Sequence, residues 1–308
     1  MPALRSAFIA LSRNRTLRNF CESTKFGRRM SSRFVAGMEI GDALRVASEL
    51  NHQGFLVTLD SLGESISSDT EAHRAAEIYH ELLKWIAAQK LNANISVKLT
   101  QMGLELDPAL AERIALSLTR RAAEVGSFVR IDMEDSSLTQ VTLEIVRRIH
   151  ALPELRSSIG VVIQSYLYRS QADVEQLLLN GIRVRLCKGA YKEPPEVAFP
   201  KKSDVDANYI RLTKLLLDSP IYHGIATHDE AMIAAAQAFA SERGIDKSRF
   251  EFQMLFGVRR DLQRRLVSQG YNVRVYVPFG TEWYPYFMRR LAERPANVIF
   301  LAKNYFRS

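Results

Sequence analysis

Cysteine is nearly absent from this chain: only Cys21 and Cys187 occur in 308 residues. Two cysteines cannot build a disulfide framework, and their scarcity fits a reducing compartment. Cys187 lies in an apolar, strand-like run and reads as a small buried residue. There is no CxxC pair, and the six histidines lack metal-ligand spacing, so no metal is expected. No run of 18 apolar residues marks a membrane span. A glycine-rich dinucleotide turn, a low-complexity tract and a linker are also missing, so nothing signals a second domain. The remainder is an ordinary soluble composition, 47% hydrophobic and 25% charged, with enough apolar material for one large core.

The net charge of +8 is unevenly placed. Residues 1–37 hold eight Lys/Arg against one acid, Glu22, leaving 34 basic and 33 acidic residues elsewhere. The body is therefore near neutral, and residues 1–40 read as a basic helical arm ahead of a domain at 41–308. The arm is either a solvated face or a segment drawn to an anionic membrane surface. Its first 20 residues are Arg-rich and acid-free, like a transit peptide, though a packed or basic surface helix explains them equally well. No basic-aromatic reader motif is present, so no nucleic acid is expected as a partner.

Eight short apolar, β-branched runs follow: Gly54–Asp60, Asn94–Leu99, Phe128–Glu134, Gly160–Gln164, Ile182–Lys188, Gly224–Thr227, Phe250–Leu255 and Val273–Val277. Most are nearly continuous in apolar residues, the pattern of parallel strands buried on both faces. Helical stripes lie between them. In Pro108–Glu124, Leu110, Ile114, Leu118 and Ala122 share a face, Asp107 is placed to cap, and Gly126 stands just past the end. Eight strand–helix alternations predict an α/β fold, a (β/α)8 TIM barrel with an N-terminal helical extension.

Chemistry in such a barrel belongs at the carboxyl ends of the strands. Those ends are polar here: Asp60 and Glu64, Lys98, Asp132, Gln164, Arg185 and Lys188, Thr227 and His228, Gln253, Tyr276. Gly189, after Lys188, would let backbone amides approach a phosphate, although a plain glycine turn explains it as well. Tyr286, Arg289, Arg290 and Glu293 fall at i, i+3, i+4 and i+7, one helical face. Paired guanidinium groups there suit a carboxylate, but a solvated Arg–Glu face fits the spacing too.

Several motifs together resemble the proline dehydrogenase family, both its monofunctional bacterial members and the matching domain of proline utilisation A. They are LDSLGE (59–64), SVKLT (96–100), RIDMED (130–135), VVIQSYL (161–167), RLCKGAYKEP (185–194), ATHD (226–229), EFQMLFG (251–257), RVYVPFG (274–280) and YPYFMRRLAERPAN (284–297). The resemblance implies a distorted (β/α)8 barrel carrying FAD that oxidises L-proline to Δ1-pyrroline-5-carboxylate, the first step of proline catabolism to glutamate. It implies electron transfer to a membrane quinone, and a separate pyrroline-5-carboxylate dehydrogenase downstream.

Residue by residue, the resemblance gives the proline carboxylate to Arg289, Arg290 and Lys98. It sets Tyr276 and Tyr286 as walls of the substrate ring, with Leu186 pressing on it. Asp132 and Arg185 stand as the catalytic pair, Arg185 facing the flavin. Met133, Gln164, Lys188, Gly189, Ala190, Thr227 and His228 contact FAD, and Glu64 pairs with Arg289 as a gate. Lys192 stands where many relatives carry Trp. The implied setting is cytoplasmic, peripheral at the inner face of the membrane. The rival enzyme is a Schiff-base barrel lyase using Lys98. The rival non-enzyme is a basic nucleic-acid binder, weakened by the near-neutral body.

Overall fold

The computed structural model describes residues 32–63 and 66–293, with side chains through Met288. Its strands are β1 (Leu56–Ser61), β2 (Ala93–Val97), β3 (Val129–Ile131), β4 (Ile159–Gln164), β5 (Arg183–Cys187), β6 (His223–Ala226), β7 (Phe250–Leu255) and β8 (Asn272–Phe279). They close into a barrel in chain order, every neighbouring pair parallel. The seam between β1 and β8 runs from Leu56 opposite Arg274 to Ser61 opposite Phe279.

Helix α1 (Ile40–His52) precedes β1. Each strand is then followed by one helix: α2 (Asp69–Ala88), α3 (Pro108–Glu124), α4 (Thr139–His150), α5 (Ser170–Leu179), α6 (Lys202–Asp218), α7 (Glu230–Glu242), α8 (Arg260–Ser268) and α9 (Trp283–Glu293). Local chemistry fixes several starts. Asp107 caps α3 by accepting from Ala109 N at 2.9 Å and Leu110 N at 3.1 Å, and Pro108 opens its first turn. Asp229 caps α7 by accepting from Ala231 N at 3.1 Å.

The strands are parallel and buried on both faces, as their apolar runs predict, but the two faces are built of different residues. One face is apolar: Val57, Leu59, Ile95, Val97, Val184 and Val275 are fully buried against the helices. The alternate residues point into the lumen and are mostly polar. Thr58 donates to Asn94 Oδ1 at 2.5 Å, and Arg130 Nη1 reaches the carbonyls of Val161 and Arg183 at 3.1 and 2.7 Å. A (β/α)8 lumen is usually packed with Val, Ile and Leu. Here a hydrogen-bonded lattice fills it instead.

Phe34 and Val35 belong to the segment expected to form the arm, yet both are buried. Phe34 meets Phe287 of α9 with ring centroids 6.1 Å apart, and Ala36 N donates to Pro278 O at 2.9 Å. The barrel's own packing therefore begins before residue 41. Residues 1–31 of the expected arm lie outside the described residues. Among the described residues no helix is long and apolar enough to cross a membrane, and no cluster of His, Cys, Asp and Glu could hold a metal ion.

Candidate active site

Asp132 follows β3, its amide donating to Val97 O at 2.9 Å, which extends the ladder by one residue and fixes the side chain at the lumen's mouth. Three groups converge on it. Oδ1 accepts from Ser96 Oγ at 2.7 Å and Arg185 Nη1 at 2.8 Å, and Oδ2 accepts from Tyr276 OH at 2.8 Å. These donors come from β2, β5 and β8, so Asp132 ties the barrel across its diameter. The Arg185 carbon Cζ also lies 5.2 Å from the centroid of the Tyr276 ring. Burial, with the charges of Asp132 and Asp60 adding to it, pushes the Tyr276 phenol well above its usual range, so it acts as a donor.

Beside this hub, Lys98 Nζ sits 3.2 and 3.1 Å from the two oxygens of Asp60. The lysine head is 14% exposed and Asp60 only 1%. Burial raises the Asp60 carboxyl, Lys98 pulls it back down and Asp132 raises it, leaving it above its ordinary value. Lys98 was expected near a substrate carboxylate. It is at the mouth, but anchored to a buried acid. An amine held this way is poorly placed as the neutral nucleophile a Schiff base needs.

A second group of residues lies over β4, β5 and β6. Gln164 Nε2 donates to Glu134 O at 3.0 Å and Met133 O at 3.3 Å, while its carbonyl oxygen is buried without a partner. Nη2 of Arg185, on the adjacent strand, is likewise buried without a partner. Buried polar atoms normally find partners, so this acceptor and this donor mark a place where a ligand belongs. Gly189 has φ of 106°, and a Cβ there would stand 2.4 Å from the Tyr166 ring. Glycine is thus required twice over, by backbone and by space. Glu193 fastens the loops around it, accepting from Ser136 N at 2.8 Å and Tyr166 OH at 3.2 Å.

The remaining expected contacts are distributed as follows. Met133 and Thr227 are buried, Ala190 is exposed, and His228 Nε2 accepts from Leu255 N at 2.8 Å. Lys188, expected to contact FAD, is held between Asp206 and Asp229 at 2.5 and 2.8 Å. The Lys188 ammonium beside Asp229 keeps that carboxyl below its ordinary range. Leu186 requires a correction. Strand residues alternate faces, and Arg185 points into the lumen, so Leu186 turns toward the helices. It is fully buried there and supports β5 from behind, so it does not press on a substrate ring in the lumen. Tyr286 is buried on α9. Arg289, Arg290 and Glu293 are carried on the same helix, but their side chains lie outside the described residues, as does Glu64 with its expected gate pairing.

Ser96, Glu193, Asp206 and the pairing role of Asp60 are not among the residues that the sequence motifs single out. Asp60 and Ser96 carried a signal: each sits two positions before or after another lumen residue on its strand, the period-2 spacing of an inward face. Asp206 and Glu193 reach the site from a helix and a long loop, and no local spacing points to either.

The hub, the Lys98–Asp60 pair and the orphaned atoms of Gln164 and Arg185 gather at the carboxyl ends of the strands, which makes the mouth of the barrel the candidate site. Comparison with known proteins identifies the family. The proline dehydrogenase family profile matches residues 43–303. Proline dehydrogenase 1 of Bacillus subtilis is 42% identical over 301 residues, covering 97% of this chain and 98% of that one. Proline dehydrogenase of Deinococcus radiodurans is 41% identical over 279 residues, 89% of each chain. A crystal structure of proline utilization A from Bdellovibrio bacteriovorus, inactivated by N-propargylglycine, superposes with a TM-score of 0.82 at 30% identity. It covers 87% of this chain and 33% of that one, so the present chain spans about a third of the larger protein. The chain belongs to the proline dehydrogenase family and oxidises proline to Δ1-pyrroline-5-carboxylate.

Proposed function

We propose that this proline dehydrogenase works with FAD lying over the carboxyl ends of β4, β5 and β6, and passes its electrons to a membrane quinone. The observation that carries the cofactor reading is the orphaned pair on neighbouring strands, Gln164 Oε1 and Arg185 Nη2. An acceptor and a donor two positions apart in register on adjacent strands would suit the alternating polar edge of a flavin ring. Gly189, where a Cβ would meet the Tyr166 ring, suits the close passage of a phosphate-bearing chain; Lys188, Ala190, Thr227, His228 and Met133 would contact the rest of the cofactor. When bound, FAD would supply the hydride acceptor that proline oxidation needs.

The chain's own residues would then bind and orient. Lys98, Arg289 and Arg290 would hold the proline carboxylate, the arginines as two-pronged donors. Tyr276 and Tyr286 would wall the ring. Asp132 would keep Arg185 and Tyr276 at fixed positions, and such positioning is worth several kcal/mol of barrier, about 7–11 in the best intramolecular cases. Glu64 would close over Arg289. The substrate amine must lose a proton, so activity should rise toward alkaline pH; a flat profile would contradict that. Residues 1–31, rich in arginine, would hold the enzyme at an anionic surface on the cytoplasmic side. Their removal should weaken binding to anionic vesicles. A separate pyrroline-5-carboxylate dehydrogenase would consume the product.

The direct test is an absorption spectrum of purified protein before and after adding L-proline without oxygen. A flavin spectrum that bleaches supports the reading. Colourless protein that takes up no added FAD, yet oxidises proline, would overturn it.

A further inference from the structure

Below the Asp132 hub, a second polar chain runs down the lumen toward the amino ends of the strands. Arg274 Nε donates to Glu251 Oε1 at 2.7 Å, and Tyr222 OH donates to Glu251 Oε2 at 3.0 Å. Gln253 Nε2 donates to the same Glu251 Oε1 at 2.5 Å. Gln253 Oε1 in turn accepts from Arg185 Nε. Burial alone would raise the Glu251 carboxyl, but Arg274, Gln253 and Tyr222 outweigh it and hold it below its ordinary value. A carboxylate only accepts. Glu251 therefore dictates which end of the Gln253 amide points down, and leaves the oxygen facing Arg185. Gly224 of β6 makes the room, since a Cβ there would stand 2.3 Å from Gln253 Nε2.

The consequence falls on Arg185. Its Nε is used by Gln253, and its Nη1 by Asp132 at 2.8 Å and Ser96 at 3.0 Å. A guanidinium is a rigid plane, so fixing Nε and Nη1 also fixes Nη2, the buried nitrogen left without a partner. We infer that Gln253, oriented by Glu251, is a positioning residue for proline oxidation: it sets the plane of Arg185 and so aims Nη2 at the cofactor. The inference rests on the FAD reading above.

Gln253→Met keeps the volume, cannot accept from Arg185, and leaves Glu251 with Arg274 and Tyr222. It should lower kcat for proline about 100-fold, the scale of a small misplacement of a reacting group. The KM for proline should stay within about threefold, because Arg185 does not hold the carboxylate. The reduction potential of the bound flavin should move negative, since Nη2 no longer favours the added negative charge. The exchange Glu251→Gln with Gln253→Glu keeps the net charge and returns an acceptor to Arg185. It should recover kcat to within about tenfold of the unmodified enzyme.

A flavin-bearing Gln253→Met variant with unchanged kcat and potential, altered only in melting temperature, would overturn the inference and leave the cofactor reading intact. If Gln253→Met does not accumulate, the exchange decides, and a folded exchange variant that proline cannot reduce would overturn it. An unmodified enzyme that binds no flavin would sink the cofactor reading, and this inference with it.

Discussion

The two faces of the barrel strands differ in kind. The outward face is a continuous apolar layer, fully buried at Val57, Leu59, Val97 and Phe252. The inward face is a polar lattice in which Asp132, Arg185, Gln253 and Glu251 are linked in series. Hydrophobic burial supplies most of a fold's stability, so the outer face carries the barrel. A satisfied polar network contributes less net stability but fixes geometry. Side chains one residue apart on the same strand therefore serve opposite ends. Substitution should separate the two.

The largest effect is expected outside. Phe252 is fully buried and meets Phe250 and Tyr271 edge-on, with centroids 5.5 and 5.3 Å apart. Phe252→Ala should cost about 3–5 kcal/mol of stability, read by denaturant unfolding. Proline oxidation below the melting transition should stay within about twofold. A large loss of kcat in folded enzyme would erase the distinction between the faces. Next comes the inner hub. Asp132→Asn should lower kcat/KM for proline by about 10²–10³, with a far smaller change in melting temperature. Activity within tenfold of the unmodified enzyme would remove Asp132 from the machinery.

Gly189 belongs to neither face and sharpens the comparison at the mouth. Gly189→Ala meets both the positive φ and the Tyr166 ring. It should cost about 1–3 kcal/mol locally, seen as faster loss of flavin on dilution. Flavin retention like that of the unmodified enzyme would place the cofactor elsewhere.

The smallest effect tests the one polar group on the outer face of β6. His223 Nδ1 accepts from Val184 N at 3.0 Å, and Nε2 lies 2.9 Å from Ser219 Oγ. Burial, aided by Arg130, pushes this imidazole from 6.5 down to about 3. The unfolded chain binds the proton first as pH falls, so stability is present above 6.5 and drains away between 6.5 and about 3. The loss should be about 1.4 kcal/mol between roughly pH 7.5 and 5.5. His223→Gln keeps an acceptor for Val184 and should flatten that slope. An equal slope in the variant would assign the acid sensitivity to another group.

Much of this was legible in the sequence, for physical reasons. Phe250–Leu255 and Pro108–Glu124 fold within the bounds that their patterns predict. The first is a compact apolar run, and the second has a capping acid, a proline and a glycine to punctuate it. The strand at Phe128–Glu134 shrank to Val129–Ile131: Asp132 keeps one ladder bond through its amide, and Met133 and Glu134 turn away to build the mouth. The inner polarity was seen only at the strand ends. Arg130, Glu251 and Arg274 sit deeper, where a run rich in valine and phenylalanine hides them and only their partners on other strands explain them. The same limit applies to Lys188, whose neutralising acids lie on α6 and just ahead of α7. A motif gives the residue type but not what tertiary structure brings beside it.

The seam between β1 and β8 has a consequence for how the chain is made. β1, made before the other seven strands of the barrel, is hydrogen-bonded on one side to β8. Leu62 N reaches Phe279 O at 2.7 Å, and Gly280 N reaches Gly37 O at 2.9 Å, so both ends of the described chain are tied together at that point. At 5–20 residues per second, β1 waits about 10–45 s with one edge bare before β8 is synthesised. An unpaired edge is a template for wrong pairing. Any shortening that removes β8 leaves that edge of β1 bare for good, with β2 as its one remaining partner.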